Sequence, residues 1–231
     1  MSRLYLFAEG ETEQTFADTV LKPHLAQFGV YLHNPVLIAH ARRKGKVHRG
    51  GGRKYEPMKN DIMRFLKQDS ANDVFFTTMI DLYALHDKFP GRAEAESLRH
   101  DPHHRVKSLQ AAWTADIGDQ RFIPFIQLHE YEAYLFTDAA QFELFYPNHK
   151  TEIANLQKIA AGVSTPELID DGQYSAPSKR IIDQLPDYEG AKSAVGPQVG
   201  ELIGLAAIRA KCPHFNEWLT DLERLAGRMI P

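Results

Sequence analysis

Two spacings of apolar residues take turns along this chain. Leu4, Tyr5, Leu6, Phe7 and Ala8 make a short continuous run that reads as a buried strand. Phe16, Val20, Leu21 and Leu25 then fall at helical spacing, predicting a helix to about residue 26 that Pro23 kinks or shortens. Residues 36–39 read as a second strand and 57–67 as a helix with Ile62, Phe65 and Leu66 on one side. Residues 74–80 are β-branched and aromatic, a third strand, and 102–115 are helical. A fourth strand is expected over 122–128. Strands alternating with helices predict an α/β fold with a mainly parallel four-stranded sheet flanked by helices. Beyond Asp138 the strand signal stops, and Pro166, Pro177, Pro186, Pro197 and Pro213 punctuate a helical pattern. The expected organisation is one α/β domain over 1–137 and a helical carboxy-terminal lobe over 138–231 packed on it.

The predicted strands end on acids. The first stops at Glu9, followed by Gly10 for a tight turn, Thr12 as a cap and Glu13 for the positive end of the next helix. The third ends on Asp81 and the fourth runs into His129-Glu130-Tyr131-Glu132. Parallel strands share one carboxyl edge, the edge at which open α/β sheets place ligands. Carboxylates gathered there repel one another until a cation neutralises them. Hard oxygen donors favour Mg²⁺ or Mn²⁺, and Mg²⁺ held by a few carboxylates typically works on phosphates. Glu9, Asp81, Glu130 and Glu132 are the candidate ligands. Each acid taken alone also reads as a helix cap or an arginine partner.

Composition narrows the chemistry. The 231 residues are 43% hydrophobic and 25% charged, as in ordinary globular proteins. No apolar run is long enough for a membrane span and residues 1–3 carry no signal-peptide pattern, so the expected location is the cytoplasm. A single cysteine, Cys212, excludes an internal disulfide and a cysteine-rich zinc site. His129-Glu130-Tyr131-Glu132-Ala133 lacks the second histidine of a zinc protease helix, and the chain has neither a Gly-x-x-x-x-Gly-Lys-Ser/Thr phosphate loop nor a serine nucleophile elbow. His129 reads either as a core histidine or as a support behind a ligand.

The net charge of −3 is unevenly spread, because residues 42–54 carry seven Lys or Arg and no acid. These are Arg42, Arg43, Lys44, Lys46, Arg49, Arg53 and Lys54. With Gly50, Gly51 and Gly52 among them, the segment reads as a glycine-rich mobile loop, suited either to gripping a phosphate backbone or to solubility alone. Ser178-Lys179-Arg180 follows Pro177 at an expected helix start, where backbone N–H groups and two cations can meet a phosphate. Lys192 is a further cation of the same kind.

Glu9-Gly10-x-Thr12-Glu13 after the first strand and Asp81-Leu82-Tyr83 after the third resemble the Toprim fold of topoisomerases, DnaG-type primases and OLD-family nucleases. More specifically, AEGETE, FFTTMIDLYAL, RFIPFIQLHEYEAYLF, APSKRI and IRAKCPHFNEWL, in that order, are similar to the bacterial DUF4276 family. The resemblance implies a Toprim-like (Rossmann-like) sheet and a Mg²⁺-dependent nuclease acting on DNA or RNA. It implies catalytic roles for Glu9, Asp81 and Lys179, with Glu13 and His129 supporting the metal ligands. Families of this kind often sit beside an ATPase of the ABC or SMC type in a setting suggestive of phage defence. A partner ATPase and nucleic acid are therefore expected, a membrane is not, and the oligomeric state is left open. Tyr83 stands where the Toprim pattern has its second aspartate, which favours the alternative of a non-catalytic binding subunit that regulates the ATPase. A phosphate-joining Toprim enzyme fits less well, for want of a primase zinc module or a catalytic tyrosine domain.

Overall fold

The first apolar run folds as β1 (Ser2–Ala8), and β6 (Val74–Asp81) pairs beside it in parallel from Arg3↔Val74 to Ala8↔Met79. On the other side of β1 lie β2 (Val30–Leu32) and β3 (Val36–Leu37), and on the outer side of β6 lie β7 (Phe122–Ile123) and β8 (Ile126–Gln127), all parallel. The sheet thus has four strand positions, in the order β2/β3, β1, β6, β7/β8. This computed structural model describes residues 1–43, 46–49, 54–169 and 175–228.

Both central strands are mostly apolar because both faces of the sheet are covered. Leu4, Leu6, Ala8, Phe75 and Met79 face one core, which they share with Phe16, Tyr131, Tyr134, Tyr188, Phe215 and Trp218. Phe7, Val74, Phe76 and Ile80 face the other, built with α3 (Tyr55–Gln68), α4 (Arg92–Glu96) and α5 (Pro102–Ile117). The period-two alternation along each strand produces this division. The first core joins residues of the sheet to residues as far along as Leu225. The carboxy-terminal helices in it are α6 (Lys150–Ala161), α7 (Pro177–Gln184), α8 (Tyr188–Ile203), α9 (Leu205–Lys211) and α10 (Pro213–Glu223).

The expected fold class, a mainly parallel four-stranded sheet flanked by helices with a helical carboxy-terminal lobe, is the one observed. Details differ where local chemistry intervenes. Strand β2 was not foreseen, since three residues are too few to carry a pattern. The expected fourth strand breaks at Pro124, which has no N–H for the ladder. The buried Thr78 hydroxyl spans the break, accepting from Phe125 N and donating to Phe125 O at 2.8 and 2.9 Å.

The first helix starts at Gly10 rather than Thr12. Glu13 Oε2 accepts the Gly10 N–H at 3.1 Å and closes the turn that begins α1 (Glu11–Phe16). A π turn (Ala17–Leu21) follows, absorbing the N–H that Pro23 lacks before α2 (Lys22–Ala26). The expected basic loop is in part a β-ribbon. β4 (Ala39–Arg43) and β5 (Lys46–Arg49) pair antiparallel, from Ala39↔Arg49 to Arg43↔Lys46. Residues 44–45 and 50–53 lie outside the described residues.

Candidate acidic site at the carboxyl edge of the sheet

Parallel pairing carries Glu9 and Asp81 to one edge. Glu9 follows β1, its N–H donating to Met79 O at 3.0 Å, and its own Oε2 accepts the Asp81 N–H at 2.8 Å. Gln127, fully buried at the end of β8, donates through Nε2 to Asp81 Oδ1 at 2.7 Å and to Glu13 Oε1 at 3.3 Å. One amide therefore ties together two carboxylates that would otherwise repel. Glu13 is itself only 5% exposed, on the first turn of α1.

The chain then reverses at His129, whose φ of 65° is the one positive value at a non-glycine among the described residues. Left-handed backbone at such a residue is strained, and strain of this kind gathers at functional sites. The reversal sends the next two acids in different directions. Glu130 Oε2 accepts the Ser178 N–H at the start of α7, at 2.8 Å. Glu132, buried in the 3₁₀ helix Tyr131–Leu144, lies 3.6 Å from Lys192 Nζ on α8.

Burial and crowding govern the charges. Desolvation pushes the Asp81 carboxyl well above its usual range, and the charges of Glu13, Glu9, Glu130 and Glu132 push it further. Burial likewise raises Glu13. Glu132 is pushed up to about 7 by burial, with Lys192 opposing and Glu130 and Glu13 reinforcing the rise. The neighbouring Tyr131 hydroxyl is held firmly neutral by burial and by Glu13 and Glu132.

Among the described residues, no group of three or more His, Cys, Asp or Glu is already arranged to hold a metal ion. The donor chemistry nevertheless suits a hard divalent cation: several carboxylates share the edge, and Gln127 Oε1 is buried without a hydrogen-bond partner.

The other expected residues are distributed as follows. Tyr83 is 44% exposed, beyond Asp81 in the turn Leu82–Ala84, with its N–H on His129 O. The α7 start is present, but its Ser178 N–H is taken by Glu130. Arg180 Nε donates to Ser175 O at 2.7 Å. Lys179 is exposed, in a groove with Ile159, Ser175, Arg180, Ile182 and Asp183 that none of the acids lines. Arg42, Arg43, Lys46 and Arg49 lie on the β4–β5 ribbon, and Lys54 is exposed just before α3, while Lys44 and Arg53 fall outside the described residues. The ribbon springs from the acidic edge, since Ile38 N donates to Ala8 O, the residue before Glu9.

Gln127 was missed by sequence reasoning. Its signal was a lone amide at the end of an apolar strand, and it means nothing until the partners across the sheet are known. Cys212, buried among apolar groups, has its thiol pushed far up by that burial and is inert. No helix among the described residues is long and apolar enough to cross a membrane.

A family model described as a domain of unknown function (DUF4276) matches residues 8–223. No curated protein matches. Among solved structures, the C-terminal region of the Burkholderia pseudomallei OLD protein aligns at 14% identity and TM-score 0.43, covering 96% of this chain and 99% of that one. The C-terminal region of the Xanthomonas campestris pv. campestris OLD protein aligns at 14% identity and TM-score 0.38, covering 95% of this chain and 94% of that one.

Proposed function

We propose that this chain, which belongs to the DUF4276 family, is a Mg²⁺- or Mn²⁺-dependent nuclease hydrolysing phosphodiester bonds of DNA or RNA. One observation carries the reading: Glu9, Glu13, Asp81, Glu130 and Glu132 converge on one sheet edge, and burial and like charge oppose the ionisation of Asp81, Glu13 and Glu132. Such a cluster is costly unless a cation uses it.

A divalent ion held there would neutralise charge on the attacking and leaving oxygens of a phosphodiester. The chain's own groups do the remaining work. Glu9, Asp81 and Glu132 offer the oxygens, and Gln127 fixes the Asp81 and Glu13 carboxylates in register. Glu130 braces the helix that carries Lys179 through its Oε2, which takes the Ser178 N–H. The exposed Lys179 ammonium is better placed than Arg180 to meet a phosphate, because Arg180 is engaged with Ser175. The basic ribbon, rooted one residue from Glu9, supports a grip on the nucleic-acid backbone beside the acids.

A second reading, a non-catalytic subunit regulating an ABC- or SMC-type ATPase, is favoured by Tyr83, since a phenol does not replace a carboxylate ligand. The test is cleavage of plasmid, single-stranded DNA and structured RNA with Mg²⁺ or Mn²⁺, with and without an ATPase encoded nearby. Cleavage should be lost on Glu9→Gln or Asp81→Asn with binding largely kept, because transition-state stabilisation is what disappears. Lys179→Ala should slow it less. Intact substrates throughout, with the ATPase still bound, would leave the regulatory reading.

A further inference from the structure

Glu130 and Glu132 leave the sheet edge two residues apart and reach partners of opposite character. Glu130 is met by a main-chain N–H of α7, a group fixed by the helix. Glu132 is met by the Lys192 ammonium at 3.6 Å, at the end of a flexible stem whose side chain is 33% exposed while that of Glu132 is 9% exposed. The α8 backbone beneath Lys192 is closely packed, for a Cβ at Gly196 would lie 2.9 Å from the Tyr188 hydroxyl and one at Gly200 2.4 Å from that of Tyr131. The side chain of Lys192 can therefore leave Glu132 for water without moving its helix, whereas the α7 N–H cannot leave Glu130.

We propose that Lys192 is a resident counter-cation of the acidic site, held on Glu132 until a divalent metal ion displaces it. The inference rests on the metal reading above. The ammonium and the metal ion compete for one carboxylate, and the lysine keeps that buried charge from standing uncompensated while no metal is bound. Glu132 then joins Glu9 and Asp81 at the metal once Lys192 has left it.

The test is calorimetric titration of MnCl₂ and MgCl₂ into the full chain, compared with Lys192→Met, Lys192→Arg, Glu132→Gln and the Lys192→Met/Glu132→Gln double variant. Removing the competitor by Lys192→Met should tighten metal binding by about two- to fivefold, the range of a partly exposed ion pair. Lys192→Arg should bind no tighter than the natural chain, because a guanidinium holds a carboxylate bidentately. In the Glu132→Gln background Lys192→Met should make no difference. If Lys192→Met does not fold, Lys192→Gln, which keeps a donor for Glu132, gives the same comparison. Equal or weaker metal affinity in Lys192→Met, or in Lys192→Gln where that stands in for it, with binding by the natural chain intact and lost on Glu9→Gln, would overturn the competition alone. Absence of binding by every protein would overturn the metal reading and this inference with it.

Discussion

His214 shows how a single buried residue sets a condition on the fold. Its ring stacks on Phe125 with centroids 4.9 Å apart, and Nε2 donates to Ile126 O at 2.9 Å, sealing the outer edge of β8. On the same strand residue, Ile126 N donates to Gln110 Oε1 from α5, so side chains close an edge that no strand covers. Burial holds His214 down at about 4, against 6.5 for an ordinary histidine. The unfolded chain therefore takes up this proton at higher pH than the folded one. The stability contribution is complete above about pH 6.5 and is lost as pH falls towards 4, by up to about 3 kcal/mol. Urea unfolding of the natural chain and of His214→Gln between pH 4 and 7 should show the first losing that much more stability than the second as pH falls. Parallel pH curves would mean the histidine does not titrate in this window. Nothing in the sequence around Pro213-His214 announces this role, because burial is supplied by Phe125, far away along the chain.

Helix α8 illustrates the element scale. Its hydrophobic pattern is diluted by Gly190, Gly196, Pro197 and Gly200, so the sequence marks it only weakly as a helix. The tertiary structure supplies the reason for Gly200: the helix passes so close to Tyr131 and Phe16 that a methyl group has no room. Gly200→Ala should cost about 1–3 kcal/mol as an overpacking substitution despite the better helix propensity of alanine. Adding Tyr131→Phe, which removes the hydroxyl a new Cβ would strike, should recover part of the loss. Thermal denaturation of both variants checks this, and an unchanged or raised Tm for Gly200→Ala would show the contact to be looser than 2.4 Å. The same close approach sets where Lys192, two turns earlier, meets Glu132.

Over the whole molecule the charge is divided, with seven cations in residues 42–54 against a net charge of −3. An acidic body with a basic ribbon rooted beside its acidic edge should bind nucleic acid mainly through phosphates. Log affinity should fall linearly with log salt. Replacing Arg42, Arg43, Lys44, Lys46, Arg49, Arg53 and Lys54 with glutamine should lower affinity for all sequences alike and flatten that slope. Unchanged binding in an electrophoretic shift series over several salt concentrations would return the segment to a solubility role.

The alternation of apolar runs determined the strand positions, the parallel class and the convergence of strand-end acids. Period-two and helical spacings report which faces are buried, and parallel pairing puts every carboxyl end on one edge. Glu9, Asp81 and the pair Glu130 and Glu132 could be placed at that edge for that reason. Only the tertiary structure decided the partners of the two neighbouring acids, Ser178 N for Glu130 and Lys192 for Glu132, because α7 and α8 arrive from the other half of the sequence. It also decided that Gln127 bridges Asp81 and Glu13, and that Lys192 rather than Lys179 meets a member of the cluster. Those are contacts between residues 46 to 114 positions apart, set by packing across the sheet, and no local pattern encodes them.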